Sequence, residues 1–355
     1  MRILIDIGHP AHVHLLKNFA LTMQNRGHNI LFTCRDKEFE VELLKSYGFR
    51  YIVFGKKFKS IWGKIIGLIK FDIQEIVAGI KFKPDIFLSA GSMYASHASF
   101  ILKKPHLSFE DTFNMEQVRL YKPFTEAIFI NKFQIPPLRG DNIVEYSGYH
   151  ELAYLHPNWF TPNRDIYEIL GISSNEHYII VRFVSWNATH DIGQVGLKLE
   201  EKIKLIEKLS TKVKIFISSE GELPNKIKKY QIKIPPEKMH DALSFASLFI
   251  GEGATMASES AMLGTPTIYI NSLHPNTIKQ QEKYGLIQYL LSIDKIIDKS
   301  IEILKNNKKD EFINKRDVML SQKIDVTAFL IWFVENYPKS KETLKENPNY
   351  QKRFK

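Results

Sequence analysis

The sequence predicts an α/β protein made of two halves, each with its own parallel sheet. Short apolar runs alternate with helical periods along most of the 355 residues, which is the pattern of repeated βαβ units. The alternation pauses in a loop-rich stretch at residues 149–175 and then starts again. The composition, 44% hydrophobic and 25% charged, is that of a globular protein, and the length suits two domains of ordinary size.

The first half opens on a nearly continuous apolar run at residues 2–7, as expected for a strand that is buried on both faces. A turn at Gly8 leads into a helical period that ends at Gly27, where a glycine suits a helix C-terminus. The pattern then predicts a helix at 38–47 and strands at 29–34, 51–54, 85–89, 106–109, 128–130 and 142–146.

The second half begins with a predicted strand at 178–183 and a polar loop at 185–193. The pattern continues with a helix at 197–209, a strand at 213–218, a helix at 239–246 and a strand at 248–250. We therefore expect a first domain at 1–148, a linker at 149–175, a second domain at 176–319, an apolar helix within 320–337 and a frayed polar tail at 338–355.

The formal charge of +10 at neutral pH admits three kinds of partner: nucleic acid, an anionic membrane surface or an anionic small molecule. The sequence holds no zinc-finger spacing, no RNA-binding signature and no basic heptad region, so no nucleic-acid partner is expected. The single cysteine, Cys34, rules out an internal disulfide framework and a cysteine-based zinc site. These features fit a cytoplasmic location.

The stretch GEGATMASESAMLGTP, residues 251–266, follows a predicted strand and begins a helix of small residues. In open parallel sheets, ligands bind beyond the carboxyl ends of the strands. Glycines there let the backbone approach a ligand and allow positive φ, and the N–H groups at the helix start suit a phosphate or diphosphate. Glu259, one turn into the helix, can accept hydrogen bonds from ribose hydroxyls. A turn that merely reverses the chain is the alternative.

These residues resemble the donor-binding motif of GT-B glycosyltransferases, such as the lipid II-forming N-acetylglucosaminyltransferase, and of UDP-N-acetylglucosamine 2-epimerases. The chain is identified as a member of the DUF 354 family by residues 6–14 (DIGHPAHVH), 148–151 (GYHE) and 251–266. The resemblance implies two Rossmann-like domains that face an interdomain cleft, with the last helix returning to the first domain. It also implies that the donor diphosphate is held at Gly253, Ala254, Thr255 and Met256, and the ribose at Glu259.

Three histidines lie in the loop between the first strand and the first helix. His12, near the helix start, can take a proton from an acceptor hydroxyl as a neutral imidazole. It resembles the histidine of the Gly-Gly-His-Val turn of the lipid II-forming enzyme. We predict that Gly8, His9 and His14 form an acceptor or phosphate loop beside it, with helix capping as the alternative.

Further candidates follow other predicted strands. Glu110 resembles the glutamate of the epimerase His-Val-Glu-Ala-Gly motif and can act as an acid or a base. Arg182 can pair with a diphosphate in a forked geometry. We place Ser185, Glu220 and His240 at the donor site as well.

We expect a glycosyltransferase that takes a nucleotide-activated sugar, with a UDP-sugar as substrate, and acts on a glycan or lipid-linked acceptor in cell-surface synthesis. No Asp-x-Asp motif occurs, so no metal ion or other cofactor is expected. The alternatives are a UDP-sugar 2-epimerase or hydrolase, which needs no acceptor, and a nucleotide-sugar binder without activity.

The segment 56–83 mixes lysines with isoleucines and with the aromatic residues Phe58, Trp62 and Phe71. Such a segment suggests peripheral contact with the anionic inner face of the cell membrane. An ordinary packed helix with solvated lysines is the alternative.

Overall fold

The computed structural model describes residues 1–56, 61–110, 114–133, 137–184, 196–306 and 308–355, and only the backbone of residues 61–66. The chain divides into two compact units. Unit 1 comprises Met1–Tyr154 and Lys323–Lys355, and unit 2 comprises Leu155–Gln322.

Unit 1 is built on a seven-stranded parallel sheet with the strand order β3-β2-β1-β4-β5-β6-β7. The strands are β1 (Arg2–Ile7), β2 (Asn29–Asp36), β3 (Tyr51–Lys56), β4 (Ile86–Ala90), β5 (His106–Phe109), β6 (Ala127–Asn131) and β7 (Ile143–Tyr146). β1 and β4 are central and buried, which explains their continuous apolar runs.

A helix connects each strand to the next from β1 to β6. These helices are α1 (Pro10–Asn25), α2 (Glu40–Ser46), α3 (Ile61–Phe82), α4 (Met93–Ile101) and α5 (Met115–Tyr121), and α6 (Leu152–Leu155) follows β7. α3 and α4 cover one part of the sheet, where Phe71 and Ala95 pack on Leu4 and Phe87.

Unit 2 has a five-stranded parallel sheet with the order β12-β11-β10-β8-β9. Its strands are β8 (Tyr178–Phe183), β9 (Lys214–Ser219), β10 (Leu248–Gly251), β11 (Thr267–Tyr269) and β12 (Ile287–Tyr289). Its helices are α7 (Ile166–Ile169), α8 (Leu199–Ser210), α9 (Asn225–Lys228), α10 (Met239–Phe245), α11 (Ala254–Met262), α12 (Asn276–Lys283), α13 (Ile293–Asn306) and α14 (Lys309–Leu320).

The last part of the chain completes unit 1 with α15 (Val326–Glu335) and α16 (Lys339–Glu346). α15 packs against α1, and the Ala153 carbonyl accepts hydrogen bonds from Asn18 Nδ2 at 2.9 Å and Thr327 Oγ1 at 2.7 Å. The apolar helix that the sequence predicted to return to the first domain does so.

The prediction of a frayed tail after residue 337 is wrong. α16 is followed by a 3-10 helix, Pro348–Phe354, whose aromatic residues pack on α15. The Trp332 ring lies 4.9 Å from the Tyr350 ring and 5.4 Å from the Phe354 ring, measured between centroids. The polar composition of the tail obscured these two aromatic anchors.

Candidate functional site

The candidate site of unit 2 lies where the strands of its sheet end. β8, the first strand of the unit, pairs with β9 on one side and with β10 on the other. The chain therefore adds β9 on one side of β8 and then crosses over to add β10 on the other side, so the strand order reverses at β8. In open α/β sheets the ligand crevice lies at such a reversal, beyond the carboxyl ends of the strands. Arg182 of β8 is the register partner of Gly251 of β10, so the motif starts beside that arginine.

The start of α11 presents backbone N–H groups that donate to no acceptor within the described part of the chain. Gly253 is the N-cap residue, with an extended backbone and no side-chain capping bond. No described residue accepts a hydrogen bond from the N–H of Ala254, Thr255 or Met256, all of which are at least partly exposed. These donors lie at the positive end of the helix dipole and suit a phosphate group.

The first two glycines of the motif, Gly251 and Gly253, have different roles, and neither has a positive φ, whereas Gly264 at the end of the helix has a φ of 71°. A Cβ atom on Gly251 would lie 2.4 Å from the Phe249 ring, so the close packing of the strand end requires a glycine there. A Cβ on Gly253 would meet only an ordinary contact, 3.4 Å from Val184. The left-handed backbone is therefore absent at Gly251 and Gly253, and Gly251 serves packing.

Glu252, between Gly251 and Gly253, binds the chain segments on both sides of residues 185–195. The sequence pattern did not predict this structural role. It is fully buried, and its carboxylate accepts hydrogen bonds from the N–H of Val184 and of Leu197, both at 2.9 Å. Lys202 Nζ donates to it at 3.0 Å. Glu252 thus holds the two chain segments that flank residues 185–195.

Arg182 is anchored on the neighbouring strand β9. Its Nη1 donates to Ser218 Oγ and its Nη2 to Glu220 Oε1, each at 2.7 Å. A guanidinium has five N–H donors, so these two bonds orient the side chain and leave further N–H groups for a ligand. The predicted donor residues Arg182 and Glu220 are therefore brought together, although as an ion pair. Ser185, the other predicted residue of this region, lies outside the described residues.

The predicted ribose ligand Glu259 lies on α11 and meets His240 of α10. Their side chains are separated by 3.1 Å between His240 Nε2 and Glu259 Oε1, and both residues are buried. The sequence placed each of them at the donor site but did not predict this pair. An imidazole that donates to one carboxylate oxygen holds the carboxylate in a fixed orientation.

In unit 1, the loop before α1 is closed by its own histidines. Nδ1 of His9 accepts a hydrogen bond from the N–H of Ala11 at 3.1 Å and so caps the helix. Nδ1 of His12 accepts from the N–H of Gly8 at 3.3 Å. The loop amides of Gly8 and Ala11 are thus occupied in this structure, and a phosphate or acceptor role for Gly8 and His9 stays a prediction.

The same contact defines the tautomer of His12. A neutral ring that accepts at Nδ1 carries its proton on Nε2, so it presents an N–H there. A base role for His12 therefore needs the contact with Gly8 to break. His14 is buried within α1, and its ring lies 5.5 Å from that of Tyr154 and beside Tyr47, while its predicted role in the loop stays a prediction. Packing accounts for its position.

Glu110 lies just beyond β5 and is buried. The Tyr121 hydroxyl donates to its Oε2, and His150 Nε2 lies 3.1 Å from its carbonyl oxygen. His150 also contacts the Tyr146 hydroxyl through Nδ1. His150 belongs to the GYHE motif, for which the sequence predicts no site role, and it lies beside Glu110.

A second group of buried polar side chains, also missed from the sequence, lies at the ends of β1 and β2. Arg35 Nη1 contacts Asp6 Oδ1 at 2.5 Å, and the Ser92 hydroxyl donates to the other carboxylate oxygen. Burial, followed by the charge of Asp6, raises the pKa of the nearby Glu75 well above its ordinary value.

Solved structures of sugar-nucleotide enzymes share this fold. UDP-GlcNAc 2-epimerase from Neisseria meningitidis, bound to UDP-GlcNAc, matches with a TM-score of 0.63 at 14% identity, over 90% of this chain and 98% of that one. The glycosyltransferase VinC, in complex with dTDP, matches with a TM-score of 0.60 at 11% identity, over 96% of this chain and 100% of that one. At these identities the matches show the fold alone: the protein is of the GT-B-like class, with two Rossmann-like α/β units.

Within that class, the chain belongs to the family described as protein of unknown function (DUF354), whose family model matches residues 1–332. An uncharacterized protein of Methanocaldococcus jannaschii is 25% identical over 308 residues, which span 82% of this chain and 86% of that protein. The family and the fold predicted from the sequence are both confirmed.

Proposed function

We propose that this chain is a glycosyltransferase that binds a nucleoside diphosphate sugar, with UDP as the expected nucleotide, on unit 2. The observation that carries the proposal is the start of α11, where the N–H groups of Ala254, Thr255 and Met256 have no acceptor among the described residues. The match to proteins whose structures hold UDP-GlcNAc and dTDP supports a nucleotide-sugar ligand.

The proposed binding mode follows from the chemistry of the site. The diphosphate accepts hydrogen bonds from the α11 amides, and Arg182 adds positive charge from the adjacent strand end. Glu259, oriented by His240, accepts hydrogen bonds from the ribose hydroxyls. The sugar then projects from the diphosphate toward the acceptor.

In the proposed reaction an acceptor hydroxyl attacks the anomeric carbon, the bond between that carbon and the diphosphate oxygen breaks, and the nucleoside diphosphate leaves with its electron pair. The hydroxyl proton passes to a base, for which His12 and Glu110 are the predicted residues. The α11 amides and Arg182 stabilise the charge that develops on the leaving diphosphate, so no metal ion is needed in this scheme. A glycan or lipid-linked acceptor in cell-envelope synthesis is the proposed second substrate.

The sharpest test of the diphosphate site is Ala254→Pro. Proline is favoured at the first position of a helix, so the variant keeps α11 but lacks one N–H donor. We expect UDP affinity, measured by isothermal titration calorimetry, to fall about tenfold for the lost charged hydrogen bond. Ala254→Ser, which keeps the N–H, is the matched control. Unchanged affinity in the proline variant, or no UDP binding by the wild-type protein, would contradict the proposal.

The ribose assignment is tested separately by Glu259→Gln, which keeps the shape of the side chain and removes its charge. UDP affinity should fall by about tenfold or more. Glu237→Gln, at a partly exposed position of the same unit, is the control. An unaffected affinity in Glu259→Gln would remove Glu259 from the site.

A UDP-sugar 2-epimerase or hydrolase is the second candidate, favoured by the position of Glu110 at the end of β5 with Tyr121 donating to it. Incubation with UDP-GlcNAc alone, followed by NMR, separates the two. Inversion at C2 or release of UDP at turnover rates without an acceptor would establish the second candidate instead of the transferase. A protein that binds UDP but supports neither reaction would be a binder.

A further inference from the structure

An apolar stripe runs along the outer face of α3 in unit 1. Ile69, Ile73, Val77 and Ile80 are 58%, 55%, 41% and 55% exposed. Their spacing of three or four residues places them on one side of the helix. The opposite side carries Phe71, which is only 2% exposed and packs in the core. α3 is therefore apolar on two faces, and only one of them is covered within unit 1.

Further exposed apolar side chains adjoin the C-terminal end of the stripe. A Cβ atom on Gly79 would lie 2.5 Å from Leu102 Cδ1, so α3 and the end of α4 approach closely at this glycine. Phe100 and Ile101, just before Leu102, are 64% and 57% exposed. We call the residues Ile69, Ile73, Val77, Ile80, Phe100 and Ile101 the α3 face.

The exposed charges on α3 and directly after α3 and α4 are positive, and the nearby carboxylate of Asp85 is paired with Arg2. Lys70 and Lys81 are the exposed charged residues among the described side chains of α3, and Lys83 and Lys103 follow the ends of α3 and α4. The two carboxylates of α3 are turned inward. Asp72 Oδ1 lies 3.1 Å from His97 Nδ1, and Glu75 is fully buried.

We propose that the α3 face docks on the surface of an anionic lipid bilayer. Isoleucine and phenylalanine side chains enter the boundary between headgroups and acyl chains, while the flanking lysines contact anionic headgroups. The charge argues for lipid over a second copy of this chain, because a two-fold contact would bring the same lysines together. No described helix has both the length and the apolar character that crossing a bilayer requires.

This proposal replaces the aromatic anchor that the sequence suggested. Phe71 belongs to the core, and the side chains of Phe58 and Trp62 lie outside the described part of the chain. The inference concerns unit 1 only and does not rest on the donor site of unit 2, so each can fail without the other.

The test is flotation of the full chain with vesicles of phosphatidylcholine alone or mixed with phosphatidylglycerol. The wild-type protein should float with the anionic vesicles only, and less at high salt. Ile73→Glu and Ile80→Glu should each weaken binding about tenfold, because a charge replaces buried apolar surface. Lys81→Ser and Lys83→Ser should each weaken it about fivefold.

Val318→Glu is the matched control, since Val318 is 56% exposed on unit 2 and should leave flotation unchanged. Melting temperatures of all variants check that they fold. Absence of binding, equal binding to neutral vesicles, or insensitivity to Ile73→Glu and Ile80→Glu would overturn the proposal. A dimer in light scattering that Ile73→Glu dissociates would assign the face to a second copy instead.

Discussion

Several charged side chains at the candidate site of unit 2 form ion pairs that the sequence does not predict. The carboxylate of Glu259 pairs with His240, and Arg182 pairs with Glu220. For a nucleotide site these pairs have a use: they hold polar groups in one orientation before the ligand arrives, which lowers the entropy lost on binding. The same pairs make the site sensitive to substitutions of residues that touch no ligand.

Lys309, at the start of α14, gives a prediction about pH. Its Nζ donates to the Thr265 hydroxyl and, at 3.3 Å, to the carbonyl of Ala246. Burial of the ammonium, with a smaller effect of the Arg316 charge, lowers the pKa of Lys309 from 10.5 to about 7. Between these two values the unfolded chain keeps a proton that the folded protein has released, so the free energy of unfolding rises with pH in this window.

We therefore expect the free energy of unfolding in urea to increase from pH 7 to pH 10 by more in the wild-type protein than in Lys309→Met. Below pH 7 the lysine is charged in both states, and its contribution no longer changes with pH. Lys295→Met, which removes an exposed lysine of the same unit, controls for the loss of a positive charge. Parallel pH profiles for the wild type and Lys309→Met would show that the folded lysine is not desolvated.

At the scale of elements, Glu252 links the ends of β8 and β10 to the start of α8. Glu252→Ala leaves the N–H groups of Val184 and Leu197 and the ammonium of Lys202 without their shared acceptor. We expect a loss of about 3 kcal/mol in the free energy of unfolding, measured by urea denaturation. Glu222→Ala, whose side chain is 84% exposed, should change it by less than about 0.5 kcal/mol.

A loss in Glu252→Ala no larger than that of Glu222→Ala would mean that solvent replaces the carboxylate at no cost. The distinction matters for function, because Glu252 precedes the donor amides by only two residues. A variant that melts normally but binds UDP weakly would show that the carboxylate organises the site more than the fold.

At the scale of the whole molecule, the helical tail is part of unit 1. Besides the aromatic contacts on Trp332, the Asp325 N–H donates to the Phe354 carbonyl at 2.7 Å and the Ser147 N–H donates to Gln351 Oε1, also at 2.7 Å. Truncation after Pro338 removes all of these. We expect the melting temperature of unit 1 to fall by about 6–12 °C, as a loss of about 3 kcal/mol implies for a unit of this size.

Removal of Lys355 alone is the control for this truncation, since it keeps the 3-10 helix and should leave the melting temperature unchanged. The same melting temperature in both variants would mean that the tail is dispensable, as its composition suggested.

The fold was predictable because it rests on patterns that are local in the sequence. Apolar runs such as residues 2–7 and 178–183 predict buried strands, and glycines such as Gly27 indicate where helices end. The motif at 251–266 was found for the same reason, since strand, turn and helix start are neighbours along the chain. The contacts of the site were not predictable in this way. His240 and Glu259 are in contact because of the way α10 packs against α11, which the sequence pattern does not define. Arg182 contacts Glu220 because of the register between β8 and β9, which is not local in the sequence either.

The discontinuity of unit 1 has a consequence for synthesis on the ribosome. Its sheet emerges first, but α15, which packs against α1 and donates to the Ala153 carbonyl through Thr327, emerges only after all of unit 2. At about 5–20 residues per second, translation leaves that face of α1 uncovered for on the order of ten seconds or more. A nascent chain of this protein therefore offers a chaperone a binding surface that the finished protein conceals.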